Sequence, residues 1–338
     1  MPVYLPYSVV IYYAWRQYEK GGVGMLSVVI PAFNEEEMLQ KTADTVRQVL
    51  AESEIDFEII FVDDGSSDST WEKIEEICHR SERVRGIRFS RNFGKESAIF
   101  AGLEQVRGEC AAVMDCDLQH PPEALVNMYR LWENGYEIVE GKKKSRGRES
   151  ALHGLCASAF YGMMSKAAGV DMKGASDFKL LDRKAVDALL RMPERSVFFR
   201  GMSSWIGFRK AEVQFDVRER EAGQSKWGIF RLIRYAIRNI AGYSSAPLQT
   251  VTGAGLLFLV LTLVLGAQTL ISYFRGQAVE GFTTVILLVL FTGSIVMISL
   301  GIIGYYVAKI YDEIKGRPRY VISESTSGRR KEEVQSVK

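Results

Sequence analysis

Two aspartates separated by one residue are the sharpest chemical signal in this sequence. Asp115 and Asp117 follow the apolar run 110–114, so both carboxylates are expected on a turn at the end of a buried strand. Paired carboxylates can bind a hard divalent cation such as Mg²⁺ or Mn²⁺, and that cation can also bind a diphosphate. Gln119 could supply a further oxygen ligand. An Asp-x-Asp pair occurs often by chance, so its position after a strand carries most of the weight.

Two further polar clusters also come directly after short apolar runs. They are Asn34 and Glu35 after 26–32, and Asp63, Asp64 and Gly65 after 57–62. If these runs are parallel strands, the clusters lie at the carboxyl edge of one sheet, where α/β proteins bind ligands. A simpler interpretation stays open, in which Asp63, Asp64 and Ser66 cap the next helix and Glu35 is a first-turn helix charge.

The elements that would position these residues alternate along the chain. Apolar runs predict strands at 26–32, 57–62, 84–89, 110–114, 137–141 and 176–181. Helical periodicity predicts helices at 35–52, 69–80, 95–107, 123–134, 152–168 and 183–191. This alternation predicts an α/β domain with a Rossmann-like, mostly parallel sheet covered on both faces.

The C-terminal third has a different composition. Residues 250–274 and 282–308 carry no charge, and each run exceeds the roughly 20 residues that cross a bilayer. The short connection 275–281 predicts a two-helix transmembrane hairpin, with two buried core helices as the alternative. Basic residues follow the second run, which predicts a cytoplasmic C-terminus and, after two spans, a cytoplasmic catalytic domain. In a bacterium the membrane would be the plasma membrane.

The segment before the hairpin has an amphipathic pattern. Phe230, Ile233 and Ile237 share one helical face, whereas Arg231 and Arg234 lie on another. This pattern predicts a helix lying in the membrane interface. The predicted organisation is an N-terminal extension at 1–24, a catalytic domain at 25–225, the interfacial helix at 226–244, two membrane helices within 245–310 and a basic tail at 311–338.

Whole-chain composition excludes several functions. The 43 basic and 41 acidic residues give a formal charge of +2, which offers no case for nucleic-acid binding. The four cysteines show no Cys-x-x-Cys spacing, so neither a disulfide framework nor a zinc site is expected. The basic run 142–148 fits a solvated loop and a contact with an acceptor phosphate or lipid equally well.

Four motifs in order resemble one known family. They are Pro31-Ala-Phe-Asn34-Glu35, Val62-Asp63-Asp64-Gly65-Ser66-Ser67-Asp68, Arg91-Asn92-Phe-Gly94-Lys95 and Asp115-Cys-Asp117-Leu118-Gln119-His-Pro121. Together they resemble the family-2 glycosyltransferases, which have the GT-A fold. Within that family the chain is similar to the polyprenyl-phosphate glycosyltransferases, from about residue 26 to 315.

The resemblance implies roles for individual residues. It implies a nucleotide-sugar site lined by Pro31, Asn34, Glu35, Asp63, Asp64, Gly65, Lys95 and Asp115. It implies that Mg²⁺ or Mn²⁺ binds Asp115, Asp117 and Gln119 and bridges the diphosphate. It also implies catalytic roles for Asp117, Asp177, Arg200 and Lys226, with Asp177 beside the sugar and Lys226 contacting an anion. As rivals, Asp177 could be a structural carboxylate, and Arg200 could have no role in the site.

The implied reaction is inverting transfer of a sugar from a nucleotide-sugar to a polyprenyl phosphate, either undecaprenyl or dolichyl. UDP-sugars such as UDP-glucose are favoured, and GDP-mannose stays open. The alternatives are a processive polysaccharide synthase and a non-catalytic, membrane-anchored nucleotide-sugar sensor. Gly253, Gly255 and Gly304 in the apolar runs would also let copies of the chain pack against each other.

Overall fold

The computed structural model describes residues 24–144, 176–195, 197–216, 246–275 and 281–326. Four features predicted from the sequence lie outside these ranges. They are the extension up to residue 23, the helix at 152–168, the interfacial helix at 226–244 and Lys226.

The catalytic part is built from one eight-stranded sheet and the helices that cover it. The strands are β1 Leu26–Ala32, β2 Phe57–Asp63, β3 Val84–Phe89, β4 Cys110–Val113, β5 Ile138–Lys143, β6 Lys179–Asp182, β7 Lys210–Phe215 and β8 Ile322–Ser325. The helices are α1 Leu39–Glu52, α2 Thr70–Arg80, α3 Lys95–Gln105, α4 Glu123–Glu133, α5 Arg183–Leu190 and α6 Phe199–Trp205. Two longer helices follow, α7 Ala246–Phe274 and α8 Phe282–Ile314.

The strand order is β7-β5-β6-β4-β1-β2-β3-β8. The central strands β4, β1, β2 and β3 run parallel, whereas β6 and β8 pair antiparallel with their neighbours. The predicted α/β fold with a mostly parallel sheet is confirmed. It is the GT-A, Rossmann-like arrangement.

Alternate side chains of β1 separate two apolar cores. Val28 and Ile30 face the core formed with α1, α2 and α4, and Val29 faces the core formed with α3, α5 and α6. Burial on both faces explains why the central strands read as continuous apolar runs. Helix α3 lies close to the sheet at Gly102, where an added Cβ would stand 2.2 Å from Val29 Cγ1.

Most predicted elements are present with ends shifted by a few residues, but α1 begins at Leu39 instead of residue 35. The cause is the loop after β1, where Asn34 has a positive φ of 55°. The backbone N–H groups of Asn34 and Glu35 donate to the side-chain oxygens of Ser66 and Thr70, at 2.9 and 3.0 Å. These bonds hold the chain out of helical geometry and join the first loop to the second.

The eighth strand comes from the segment assigned to a basic tail. Residues Ile322–Ser325 pair with β3, and the Ser90 N–H donates to the Val321 carbonyl at 3.0 Å. The Tyr320 ring stacks on Phe89 with centroids 4.9 Å apart. The predicted domain boundary at residue 225 therefore leaves out a strand of the catalytic sheet. A four-residue edge strand with two serines and one glutamate carries too weak a periodicity to be predicted.

Helices α7 and α8 expose many large apolar side chains, as Leu263 and Met297 show with exposed fractions of 65% and 68%. Within the described residues, only Phe291–Ile314 is long and apolar enough to cross a membrane, and the apolar stretch Gly253–Leu265 is shorter. Membrane association is thus supported, but the two-span hairpin is not confirmed and stays a prediction. Helix α8 also continues to Ile314, past the predicted end at residue 308.

Candidate active site

The loop after β2 is held by its own two aspartates. Asp63 is fully buried, and its Oδ1 accepts the Ser66 N–H at 2.9 Å. The Asp64 carboxylate accepts the N–H groups of Phe93 and Gly94, at 2.7 and 2.9 Å. Neither side chain caps α2, whose N-terminal residue Ser69 has no side-chain cap. The capping interpretation is therefore wrong: Asp63 bonds within its own loop, and Asp64 joins that loop to the loop after β3.

Gly65 lies where these loops come closest. Its φ is +68°, and a Cβ there would stand 2.4 Å from the Arg91 carbonyl carbon. Both the backbone conformation and the close approach require glycine.

Burial raises the pKa of Asp64 to about 6, and burial also raises the pKa of Asp63.

Four predicted residues meet in one charged cluster, which we call the Asp177 cluster: Lys95, Asp115, Asp177 and Arg200. Lys95 Nζ lies 2.5 Å from Asp115 Oδ1 and 3.0 Å from Asp177 Oδ2. Arg200 makes a two-bond contact with the same carboxylate, from Nε to Oδ1 at 2.7 Å and from Nη2 to Oδ2 at 2.8 Å. Asp177 thus joins the start of α3 to the start of α6.

The charges in this cluster fix its protonation. Burial would raise the pKa of Asp177, but Lys95 and Arg200 outweigh it and hold that pKa well below the usual range. Burial likewise opposes the charge of Lys95, yet Asp115 and Asp177 raise its pKa above the ordinary value. Asp177 is therefore a permanent anion near neutral pH, with two cations on it, and a poor proton acceptor.

Glu96 belongs to the same neighbourhood, although no sequence motif assigns it a role. Its Oε2 accepts the Phe199 N–H at 2.7 Å, just before Arg200. Burial first, and then the charge of Asp177, raise the pKa of Glu96 to about 7. The only signal in the sequence was its position next to Lys95.

His120 is a second residue without a predicted role, and its ring packs next to the site. Its ring stacks on Phe178 with centroids 4.7 Å apart and meets Phe215 edge-on at 5.5 Å. Its Nδ1 is buried and has no hydrogen-bond partner in the described ranges. Burial lowers the pKa of His120, so a neutral ring packs between the Asp115 turn and the strand that follows Asp177.

Asp115, Asp117 and Gln119 lie together on the turn after β4. Leu118 has a positive φ of 53°, and the Gln119 N–H donates to Asp117 Oδ1 at 3.1 Å. No group of three or more His, Cys, Asp or Glu side chains within the described residues is arranged to hold a metal ion. Two carboxylates and an amide oxygen are hard donors of the kind Mg²⁺ and Mn²⁺ take, and they fit such an ion when a diphosphate supplies further oxygens.

A buried ion pair supports the cluster from below. Lys179 is 1% exposed, and its Nζ lies 3.2 Å from Glu140 Oε1 and donates to Ser203 Oγ at 2.8 Å. Glu140 Oε1 also accepts the Ser176 N–H at 2.8 Å. Strand β5, the segment before β6 and helix α6 are therefore joined at one point, next to Asp177 and Arg200.

The other predicted residues are placed as follows. Pro31 is the second-last residue of β1 and pairs with Val62. The Glu35 N–H donates to Thr70 Oγ1 at the start of α2. In the predicted basic loop, Lys142 and Lys143 belong to β5. Lys142 and Lys144 pair with acidic residues, at 2.5 Å to Glu212 and 3.1 Å to Asp216. The loop interpretation is therefore wrong for Lys142 and Lys143, whereas Lys144 follows the end of the strand.

Comparison with known proteins gives the family to which the chain belongs. Residues 27–189 match the model of the family described as Glycosyl transferase family 2. The chain belongs to this family and is a glycosyltransferase.

Several relatives match along nearly their whole length. The Bacillus subtilis protein CsbB, which is provisionally named a glycosyltransferase, is 38% identical to this chain. The match covers 89% of this chain and 92% of CsbB. The bactoprenol glucosyl transferase of Shigella phage SfII is 33% identical over 90% of this chain and 99% of its own.

One solved structure is a more distant match. It is glucosyl-3-phosphoglycerate synthase of Mycobacterium tuberculosis in complex with Mn²⁺ and UDP-glucose. It has 20% identity and a TM-score of 0.45, covering 64% of this chain and 77% of that one.

Proposed function

We propose that this glycosyltransferase moves one sugar from a nucleotide-sugar to a polyprenyl phosphate at a membrane surface. The observation that carries the proposal is the pairing of Asp177 with both Lys95 and Arg200, at 3.0 and 2.7 Å. A carboxylate held by two cations does not remove a proton efficiently. A phosphate acceptor is already ionised and needs no such base, whereas an acceptor hydroxyl would.

The same cations suit a reaction between two phosphates. Negative charge grows on the leaving diphosphate as the sugar departs, and nearby cations stabilise it. Lys95 and Arg200 supply two cations at the edge of the sheet, and Asp177 keeps them in place. Direct attack by the acceptor phosphate would invert the anomeric centre.

A divalent metal completes the proposed donor site. Asp115, Asp117 and Gln119 would hold Mg²⁺ or Mn²⁺, which supplies Lewis-acid stabilisation of the diphosphate when bound. Asn34, Glu35, Asp63, Asp64 and the neighbouring loop residues would bind the nucleotide. The names of the phage relatives favour glucose as the sugar and bactoprenol as the carrier.

The sheet supports a two-span anchor. Strand β8 follows α8 and pairs with β3 of the catalytic sheet, so residues 322–325 lie on the same side of the membrane as that sheet. A chain that leaves and returns to one side crosses an even number of times. If Phe291–Ile314 crosses, one more crossing must precede it, and α7 is the described helix that precedes it. The basic residues after α8 favour the cytoplasmic side.

The test is a donor panel on membranes that contain the chain. Radiolabelled UDP-glucose, UDP-N-acetylglucosamine and GDP-mannose are each incubated with undecaprenyl or dolichyl phosphate. Label from one donor in a chloroform-extractable lipid, lost with a chelator, is the expected result. Soluble binding without lipid label would indicate a sensor, and a water-insoluble polymer would indicate a synthase.

The metal assignment has its own test in the same assay. Replacing Asp117 by alanine removes one proposed ligand, so we expect transfer to fall by about a hundredfold or more at saturating Mn²⁺. Replacing Asp44, an exposed aspartate on α1, by alanine is the matched control and should leave transfer unchanged. Full activity of the Asp117→Ala enzyme would refute the assignment.

A further inference from the structure

Arg88 on β3 connects the C-terminal strand with the proposed nucleotide site. Its Nη1 donates to Glu324 Oε1 on β8 at 3.1 Å, and its Nη2 donates to the Ser66 carbonyl at 3.4 Å. Its Nε lies 3.3 Å from Asp63 Oδ2. One guanidinium thus contacts the strand after the last apolar helix and the loop at the carboxyl edge of β2.

These contacts leave one atom of Asp63 open. Asp63 Oδ1 accepts the Ser66 N–H, whereas Oδ2 accepts no hydrogen bond from any residue that the structure describes. Arg88 supplies a compensating positive charge to this fully buried carboxylate, but it donates its hydrogen bonds to Glu324 and to the Ser66 carbonyl. Buried acceptors are nearly always satisfied, so an open one beside a ligand site indicates that a ligand fills it.

We propose that Glu324 is a positioning residue for the nucleotide: it holds Arg88 so that Asp63 Oδ2 stays free to accept a hydrogen bond from the donor. The proposal rests on the proposed function, which puts the nucleotide at Asp63. It adds that a residue beyond the membrane helices sets donor affinity.

The physical reason lies in the preference of arginine for two-bond contacts with carboxylates. Without Glu324, the guanidinium can turn its second N–H onto Asp63 and occupy Oδ2, in competition with the nucleotide. Glu324 is well placed to prevent this, because Arg88 and Glu324 are paired in the strand register and Thr326 accepts the Gly86 N–H at 3.0 Å.

The experiment compares nucleotide affinity in full-length, detergent-solubilised enzyme by isothermal titration calorimetry, with UDP and GDP in the presence of Mn²⁺ as probes. For Glu324→Gln we expect the Kd of the bound nucleotide to rise about threefold to fivefold, as for loss of a partly exposed ion pair. Glu324→Ala should raise it further, and Glu324→Asp should recover part of the affinity. The kcat at saturating donor should stay unchanged.

Glu313→Gln is the matched control, because Glu313 lies in the same C-terminal segment but accepts the Arg195 N–H instead. Its Kd should equal that of the wild type. A Glu324→Gln enzyme with wild-type Kd, or an equal loss in both variants, would overturn this inference and leave the proposed function standing. A wild-type enzyme that binds neither nucleotide would overturn both.

Discussion

At the scale of single residues, the site is defined by which carboxylates are neutralised and which are not. Asp177 is paired with two cations and stays ionised, whereas Glu96 is partly buried beside that anion and has a pKa of about 7. The pKa values of these two neighbouring acids are shifted in opposite directions. The chemistry therefore depends on Asp177 holding Lys95 and Arg200 in place, and the pKa of Glu96 lies in the neutral range.

Replacing Asp177 by asparagine tests the first of these roles. The amide keeps the shape but removes the shared anion, so Arg200 loses its two-bond ion pair and Lys95 keeps Asp115 as a charged partner. We expect kcat to fall by roughly a hundredfold or more, and the melting temperature to fall as well, because the two cations lose a buried counter-charge. Steady-state kinetics with the identified donor measure the effect, and a variant within about twofold of the wild type would contradict the role.

Glu96 gives a pH dependence whose sign follows from its raised pKa. Its protonated form is favoured by the fold, so its contribution to stability is present at acidic pH and is lost as pH rises through about 7. Glutamine mimics the neutral acid and can still accept the Phe199 N–H. We therefore expect Glu96→Gln to melt at a higher temperature than the wild type at pH 8, with a smaller difference at pH 5.5. An equal difference in melting temperature at both pH values would contradict the raised pKa of Glu96.

At the scale of elements, the buried pair of Lys179 and Glu140 joins β5, the start of β6 and helix α6. This junction fixes the distance between Asp177 and Arg200, which lie on different elements. Burial lowers the pKa of Lys179, and Glu140 opposes that shift.

The pair predicts a characteristic pattern of stability. Lys179→Met leaves the buried Glu140 without its counter-charge, which costs about 3–5 kcal/mol of unfolding free energy. The double variant Lys179→Met with Glu140→Gln removes both charges and should recover a large part of that loss. Chemical denaturation of the four proteins in the cycle measures it, and a double variant less stable than Lys179→Met would refute the account.

The same scale shows what the sequence could predict. Strands β1 to β4 and helices α2 to α5 have strong periodicity and lie close to their predicted bounds, because burial on both faces of a parallel sheet makes the pattern plain. Helix α6 has only seven residues, and the position of β8 depends on pairing with a strand more than 230 residues away. Local patterns do not encode such tertiary contacts.

The site was predicted to a similar degree. The motifs identified Lys95, Asp115, Asp177 and Arg200. They did not show that the Asp177 carboxylate binds both Lys95 and Arg200, which lie 82 and 23 residues away in sequence. The motifs also missed Glu96, Arg88 and Glu324, because the roles of these residues depend on contacts with residues that are far away in sequence. Motifs identify residue types, whereas charge pairing becomes visible only when the loops are packed.

At the scale of the whole molecule, the sheet and the apolar helices constrain each other. Strand β8 returns the chain to the catalytic sheet after α8, and the segment before it is bound to the domain through Arg319, which donates to the Met192 carbonyl. The catalytic edge is thereby fixed relative to the end of the last helix. A lipid-linked acceptor would then meet the Asp177 cluster at the surface of the bilayer.

The proposed two-span anchor can be tested by cysteine labelling. We introduce cysteine at Arg275, just after α7, and separately at Ser323 in β8, with the parent chain as the measure of background labelling. In intact cells a membrane-impermeant maleimide should label Arg275→Cys, and it should label Ser323→Cys only after permeabilisation. Labelling of both sites from the same side would contradict two crossings.

The most direct test of the central claim is the mass of the product. Purified enzyme in liposomes with undecaprenyl phosphate and the donor selected by the panel is extracted, and the lipid is analysed by mass spectrometry. The account predicts the lipid carrying one phosphate and one sugar residue, formed by the wild type and strongly reduced with Asp177→Asn. A product with two phosphates, with a chain of sugars, or with no sugar on the lipid would contradict it.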